Sequence, residues 1–164
     1  MAGDKLLFVL APIFLCPLLS RALSGDRRFA AVYAQQAPWQ PPGWVFGIVW
    51  PVLYGLLGYS LALAVESESG AGVRDMLVLF ALNVCWTPIF LRGNVTGALA
   101  LLLVMIAQAG WVVDQTPLLT PYVIPYILWL TFAATLNAYY VRQAHDGVLA
   151  PVTETAAPTG ARRP

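Results

Sequence analysis

The residues in this chain that could do chemistry are few, and their positions limit what they can do. The only histidine, His145, follows the last of five long apolar segments, and the two cysteines, Cys16 and Cys85, lie inside apolar segments. Neither a Ser/His/Asp triad nor a histidine-rich metal site can be assembled from this set. With Arg74 and Asp75, at the very start of the third segment, counted to the turn ESESGAGVRD that leads into it, the segment cores hold no carboxylate, histidine or arginine. The buried ionisable groups that ion-coupled transporters and proton pumps use are therefore missing. What remains are amides, hydroxyls and indoles: Asn83 and Thr87, Gln108, then Thr131, Thr135 and Asn137, with six tryptophans in all. In an apolar setting these groups make interhelical hydrogen bonds or touch a ligand, and an indole is either packing or a flat wall for an aromatic molecule. The chemistry expected is binding in a pocket, with no catalytic residue, no metal ligand and no required cofactor.

The elements that position these residues follow from composition. The chain is 59% hydrophobic and only 10% charged, with a mean hydropathy of +0.70, which marks an integral membrane protein. Residues 44–65 carry no charge, and at a helical rise of about 1.5 Å per residue they span a bilayer core of about 30 Å. Pro41 and Pro42 suit the start of this helix, and Pro51 should kink it or free the carbonyl near Gly47. Trp39 and Trp44 fit an interfacial belt; Phe46, Trp50 and Tyr54 share a deeper stripe, four residues apart. Further apolar segments lie at about 5–23, 73–91, 95–113 and 122–141, so the fold class expected is all-α, a polytopic bundle of five transmembrane helices over residues 1–145. Gly43 with Gly47, and Ala134 with Ala138, have the spacing that permits close helix approach or a dimer seam.

The first segment imitates a signal peptide, with Lys5 before it and Ala22 to Ser24 after it. Two prolines within it, and the consistent loop charges obtained when it is kept, favour a retained first helix. The 29–36 stretch, FAAVYAQQ, is long enough for a short interfacial helix, and 146–164 should be a disordered tail. With five spans, seven of the nine Lys and Arg residues (Arg21, Arg27, Arg28, Arg92, Arg142, Arg162, Arg163) fall on one side, and Lys5 and Arg74 on the other. Positive-inside places the first set, and the carboxyl terminus, in the cytoplasm. No basic run is long enough for nucleic acid, so the lipid bilayer is the first partner expected.

The stretch PWQPPGWVFGIVWPVLYGLLGY, beginning at Pro38, resembles the signature of the translocator protein family (TspO, the peripheral benzodiazepine receptor family). LNVCWTPIF around Asn83, Trp86, Pro88 and Phe90, and PYILWLTFAATLNAYYVR from Pro125 to Arg142, resemble its third and fifth helices, in the right order and spacing. The resemblance implies a five-helix bundle, commonly a homodimer, that binds porphyrin or haem, sterols and benzodiazepine-type ligands in a pocket under the first loop. Its ligand residues would be Trp50, Asn83, Trp86, Trp129, Ala133 and Leu136; the helical stripe adds Phe46. Leu136, Tyr139 and Arg142 fit the pattern proposed for cholesterol contact. Val84 and Cys85, and Val95 and Thr96, depart from residues common in the family. Two functions stay open: binding or transport of tetrapyrroles and sterols, or light- and oxygen-driven porphyrin degradation with Trp50 and Trp129 as the reactive pair. The membrane, whether mitochondrial outer, another organellar or bacterial, is left open by the sequence. Reporter fusions after Gln40 and after Arg142 should both report cytoplasm; opposite answers would break the five-span topology.

Overall fold

The computed structural model describes residues 2–24 and 37–146. They form α1 (Ala2–Ser24), α2 (Gly43–Glu66), α3 (Gly70–Leu91), α4 (Val95–Gln115), a short 3-10 turn (Pro117–Leu119) and α5 (Thr120–His145), with no strand among the described residues. All five helices are long and apolar enough to cross a membrane. The interfacial helix expected over 29–36, and the tail from 147 onward, lie outside the described residues.

The helices run past the apolar segments, because hydropathy marks the part in hydrocarbon whereas caps decide where a helix ends. The Ser69 hydroxyl accepts from the Gly72 amide and starts α3 three residues before the apolar run. At the other end the chain turns at Gly93, whose φ of 80° favours glycine, and Asn94 caps α4 by accepting from the Gly97 amide at 2.8 Å. Asp75, counted above to a turn, stands inside α3 and is buried. The expectation that no carboxylate is buried in a span is thus corrected. Asp75 is tolerated near the helix end because its neighbour Arg74 places Nε and Nη2 both 2.9 Å from its Oδ1 while reaching outward to solvent. α2 continues unbroken through Pro51, whose ring is exposed.

The central core is drawn from four helices: Leu53, Leu57 and Leu61 of α2, Met76 and Leu79 of α3, Leu102, Met105 and Ala109 of α4, and Val123, Tyr126 and Leu130 of α5. α1 joins differently. Its buried residues Pro12, Cys16, Ser20 and Ser24 are all small and recur every four positions, while Leu6, Leu7, Leu10, Phe14, Leu15 and Leu18 face outward. Bulky apolar side chains belong outside here, since lipid tails solvate them as well as a core does. The small stripe lets α1 lie close against α2 and α3. At the closest point a Cβ on Gly58 would stand 2.2 Å from the Phe8 carbonyl oxygen. Gly43 and Gly47 have nothing within 4 Å, so Gly58 rather than that pair brings helices together within the chain.

The ends of α1 and α3 meet where Arg92 Nη2 donates to the Leu23 carbonyl at 3.1 Å, and the stretch before α2 is tied to α5 by a Tyr140–Gln40 hydrogen bond. At the opposite end Lys5 and Glu66 pair at 2.8 Å. Gly58→Ala should force α1 off α2, because backbone cannot yield as a side-chain tip can. We expect a loss of at least about 2 kcal/mol in detergent unfolding, whereas Gly47→Ala should change stability by no more than about 0.5 kcal/mol.

Candidate functional site

α1, α2 and α3 line an open cavity of about 400 Å³. Each helix contributes one stripe at helical spacing: Pro17, Ser20, Arg21 and Ser24 from α1, Trp50 and Tyr54 from α2, and Asn83, Trp86, Thr87 and Leu91 from α3. The walls are held from behind. Trp86 stacks on Phe90 at 5.0 Å with 13° between ring planes, and its indole N–H donates to the Ala98 carbonyl of α4 at 3.1 Å. Trp50 leans on Tyr54 with ring centroids 5.4 Å apart. Asn83 is buried and its Nδ2 donates to the Tyr126 hydroxyl of α5 at 2.5 Å. Ser20 donates to the Val84 carbonyl across the α1–α3 contact at 3.2 Å, and Ser24 donates to the Ser20 carbonyl at 2.6 Å. The hydroxyl protons are thus committed to backbone, which leaves the two oxygens as acceptors only.

Of the site residues read from sequence, Trp50, Asn83 and Trp86 meet in this cavity; Phe46, Trp129, Ala133 and Leu136 do not line it. Phe46 and Trp129 instead meet edge to face at 5.4 Å, and Trp129 also leans on Phe132 at 5.5 Å. Trp129 and Ala133 pack against the central core, and Leu136 is buried. Of the three sterol-contact candidates, Leu136 therefore points inward, Tyr139 is half-buried against Trp39 and accepts from Gln143, and Arg142 is exposed beside Asp146. The intramembrane polar residues also divide. Asn83 bridges two helices, whereas Thr131 and Thr135 donate to carbonyls of their own helix at Ile127 and Phe132. Asn137 is buried with neither side-chain atom hydrogen-bonded among the described residues, and the Trp129 indole N–H is buried and unpartnered in the same sense.

A larger groove of about 590 Å³ runs along α1 and α3, lined by Leu7, Phe8, Leu15, Cys16, Phe80, Val84 and Cys85 among others. Its side chains are all apolar or thiol, so nothing in it would orient a ligand. Both cysteines are free, and no cluster of three or more metal-ligating side chains occurs among the described residues.

Residues 8–142 match the family model described as TspO/MBR family. The chain belongs to that family. It is 35% identical over 151 residues to the translocator protein of Homo sapiens, covering 84% of this chain and 88% of the relative. It is 36% identical over 111 residues to protein CrtK of Rhodobacter capsulatus, covering 60% and 68% of the two chains. A tryptophan-rich sensory protein of Cereibacter sphaeroides is 32% identical over 105 residues, covering 60% of this chain and 66% of its own length. Membership and five spans together make this TspO/MBR chain an integral, multi-pass membrane protein.

The α1 side of the cavity is what sequence reading missed. The signal was present as hydroxyls four apart, Ser20 and Ser24, bracketing Arg21 at the end of an apolar segment. In sequence, Ser24 falls instead within a small-residue cleavage pattern. Substitution separates the two buried amides. Asn83→Leu leaves the Tyr126 hydroxyl unpaired in a dry core and should cost about 1–3 kcal/mol. Asn137→Leu removes an amide without a protein partner among the described residues and should be neutral or stabilising by up to about 1 kcal/mol, read as unfolding temperature in one detergent.

Proposed function

We propose that this TspO/MBR protein is a membrane binding or transport protein for apolar, flat ligands, tetrapyrroles such as porphyrin or haem and sterols, held in the cavity between α1, α2 and α3. The observation that carries the reading is a pair of indole faces, Trp50 and Trp86, beside the Asn83 amide in one membrane-embedded cavity. Its volume lies in the range of ligand sites, about 300–1,000 Å³. Among the described residues no carboxylate, histidine or cysteine lines it, so these walls can hold and orient a molecule but offer no acid–base pair to transform one. The cavity is lined by the last turns of α1 and α3, Arg21, Ser24 and Leu91 among them, at the end that positive-inside assigns to the cytoplasm. The homodimer that the family resemblance implies has room at Gly43 and Gly47, which face open space.

Degradation is the less supported alternative. It would need Trp50 and Trp129 to act together on one bound molecule, but only Trp50 of the two lines the cavity, and Trp129 rests on Phe46 and Phe132.

Titration of the purified protein with protoporphyrin and with cholesterol, followed by tryptophan fluorescence, tests the proposal. Trp86→Ala should weaken protoporphyrin binding several-fold, since a ring contact in a dry site is worth about 0.5–1.5 kcal/mol beyond area burial. Trp39→Ala, at the membrane edge, should do less. Ala133→Phe, which adds bulk against the central core rather than the cavity, should leave affinity within about twofold; a large loss would move the ligand wall to α2 and α5. Under illumination in air the porphyrin should be lost no faster with the protein than in empty detergent micelles, and a protein-accelerated loss that vanishes in Trp50→Phe and Trp129→Phe would replace binding with breakdown.

A further inference from the structure

Among the described residues Arg21 is the one charged side chain that lines the cavity, and its position differs from those of Arg92 and Arg142. Arg92 donates to the Leu23 carbonyl, and Arg142 stands 4.0 Å from Asp146, which also faces His145 at 3.9 Å. Among the described residues Arg21 has no ion pair and no hydrogen bond, and none of them places a carboxylate in the cavity with it. It sits one turn before the end of α1, on the stripe of Pro17, Ser20 and Ser24 that faces the cavity. The hydroxyl protons of Ser20 and Ser24 are already given to carbonyls, so on the α1 side the guanidinium supplies the free donors. A charge placed inside the edge of a membrane span is costly unless something compensates it, and a planar fork of N–H groups is matched by a carboxylate. The apolar and aromatic walls, Trp50 and Trp86, lie across the same cavity.

We propose that Arg21 is a specificity-determining residue that selects ligands bearing a carboxylate, holding the anion at the cavity's polar end while the flat apolar body lies against Trp50 and Trp86. The assignment rests on the reading of this cavity as the binding site, and it ranks a carboxylate-bearing tetrapyrrole above a neutral sterol as occupant.

The test uses the full chain in an uncharged detergent, where no anionic lipid headgroup can occupy the guanidinium, with protoporphyrin IX and its dimethyl ester as matched probes. The parent should bind the free acid at least about threefold more tightly than the ester, the scale of one partly exposed charge pair. Arg21→Gln should close that gap by weakening the acid alone, and Arg21→Lys should keep part of it, because the charge remains but the fork is lost. Arg21 is exposed, so both variants should unfold at the parent's temperature. An equal affinity of the parent for acid and ester, or a gap that survives Arg21→Gln, overturns the assignment and leaves the cavity reading standing. Equal loss of both ligands in Arg21→Gln would make Arg21 a structural residue and likewise overturn it. If the parent binds neither probe, the cavity reading itself fails.

Discussion

The bond between Asn83 and Tyr126 joins the fold to the site. In hydrocarbon there is no water to take over an abandoned polar group, so a buried amide must either find a partner or draw on the stability of the rest of the protein. Asn83 finds one in the Tyr126 hydroxyl, within the core shared by α2, α3, α4 and α5. The same residue lines the cavity on its other side. The partner on α5 therefore fixes where the amide stands, and Trp86 and Thr87 follow three and four residues further along the same helix. Trp86 is pinned again by the Ala98 carbonyl of α4. Preorganisation of this kind spares ligand affinity the entropy of ordering the wall residues.

Around that bond the bundle divides into two kinds of contact. α2, α4 and α5, with one face of α3, bury large side chains against one another as a soluble core would. α1 instead brings backbone close to backbone through Gly58 and its own stripe of small residues, and adds hydrogen bonds from Ser20 and Arg92. In lipid the second mode is available because exposure of leucine carries no penalty, so close approach and polar ties, rather than apolar burial, decide association. The cavity lies along this second kind of contact, where small residues leave space that leucines would have filled.

What could be read from the sequence follows the same division. The five spans were legible because an uncharged apolar run of about twenty residues matches the thickness of a bilayer core and leaves no polar face for water. Trp50, Asn83 and Trp86, which the structure brings to one cavity, were singled out through a resemblance whose motifs lie on α2 and α3. Helix ends were not, because Ser69 and Asn94 set them by capping, beyond the reach of hydropathy. Asp75 was misplaced for the same reason: a charge near the end of an apolar run looks like loop, although the helix had already begun at Gly70. The α1 wall was hidden because Pro12, Cys16, Ser20 and Ser24 form a pattern only when counted in fours, and a scan for large apolar or aromatic residues passes over small ones.

The grouping of tryptophans shows where motif reading reaches its limit. Trp50 and Trp129 both occur in stretches that resemble the family, and sequence alone gives no reason to separate them. Tertiary neighbours do. Trp50 leans along its own helix onto Tyr54, which lines the cavity, whereas Trp129 is caught between Phe46 of α2 and Phe132 of α5 and packs on the central core. An indole held by two aromatic neighbours offers less free face to a ligand than one standing at the edge of an empty volume, even when both are half-buried. The structural distinction between the two tryptophans is thus the amount of ring face their neighbours leave open. That property belongs to the packing of α2 against α5, which no spacing along a single helix can reveal.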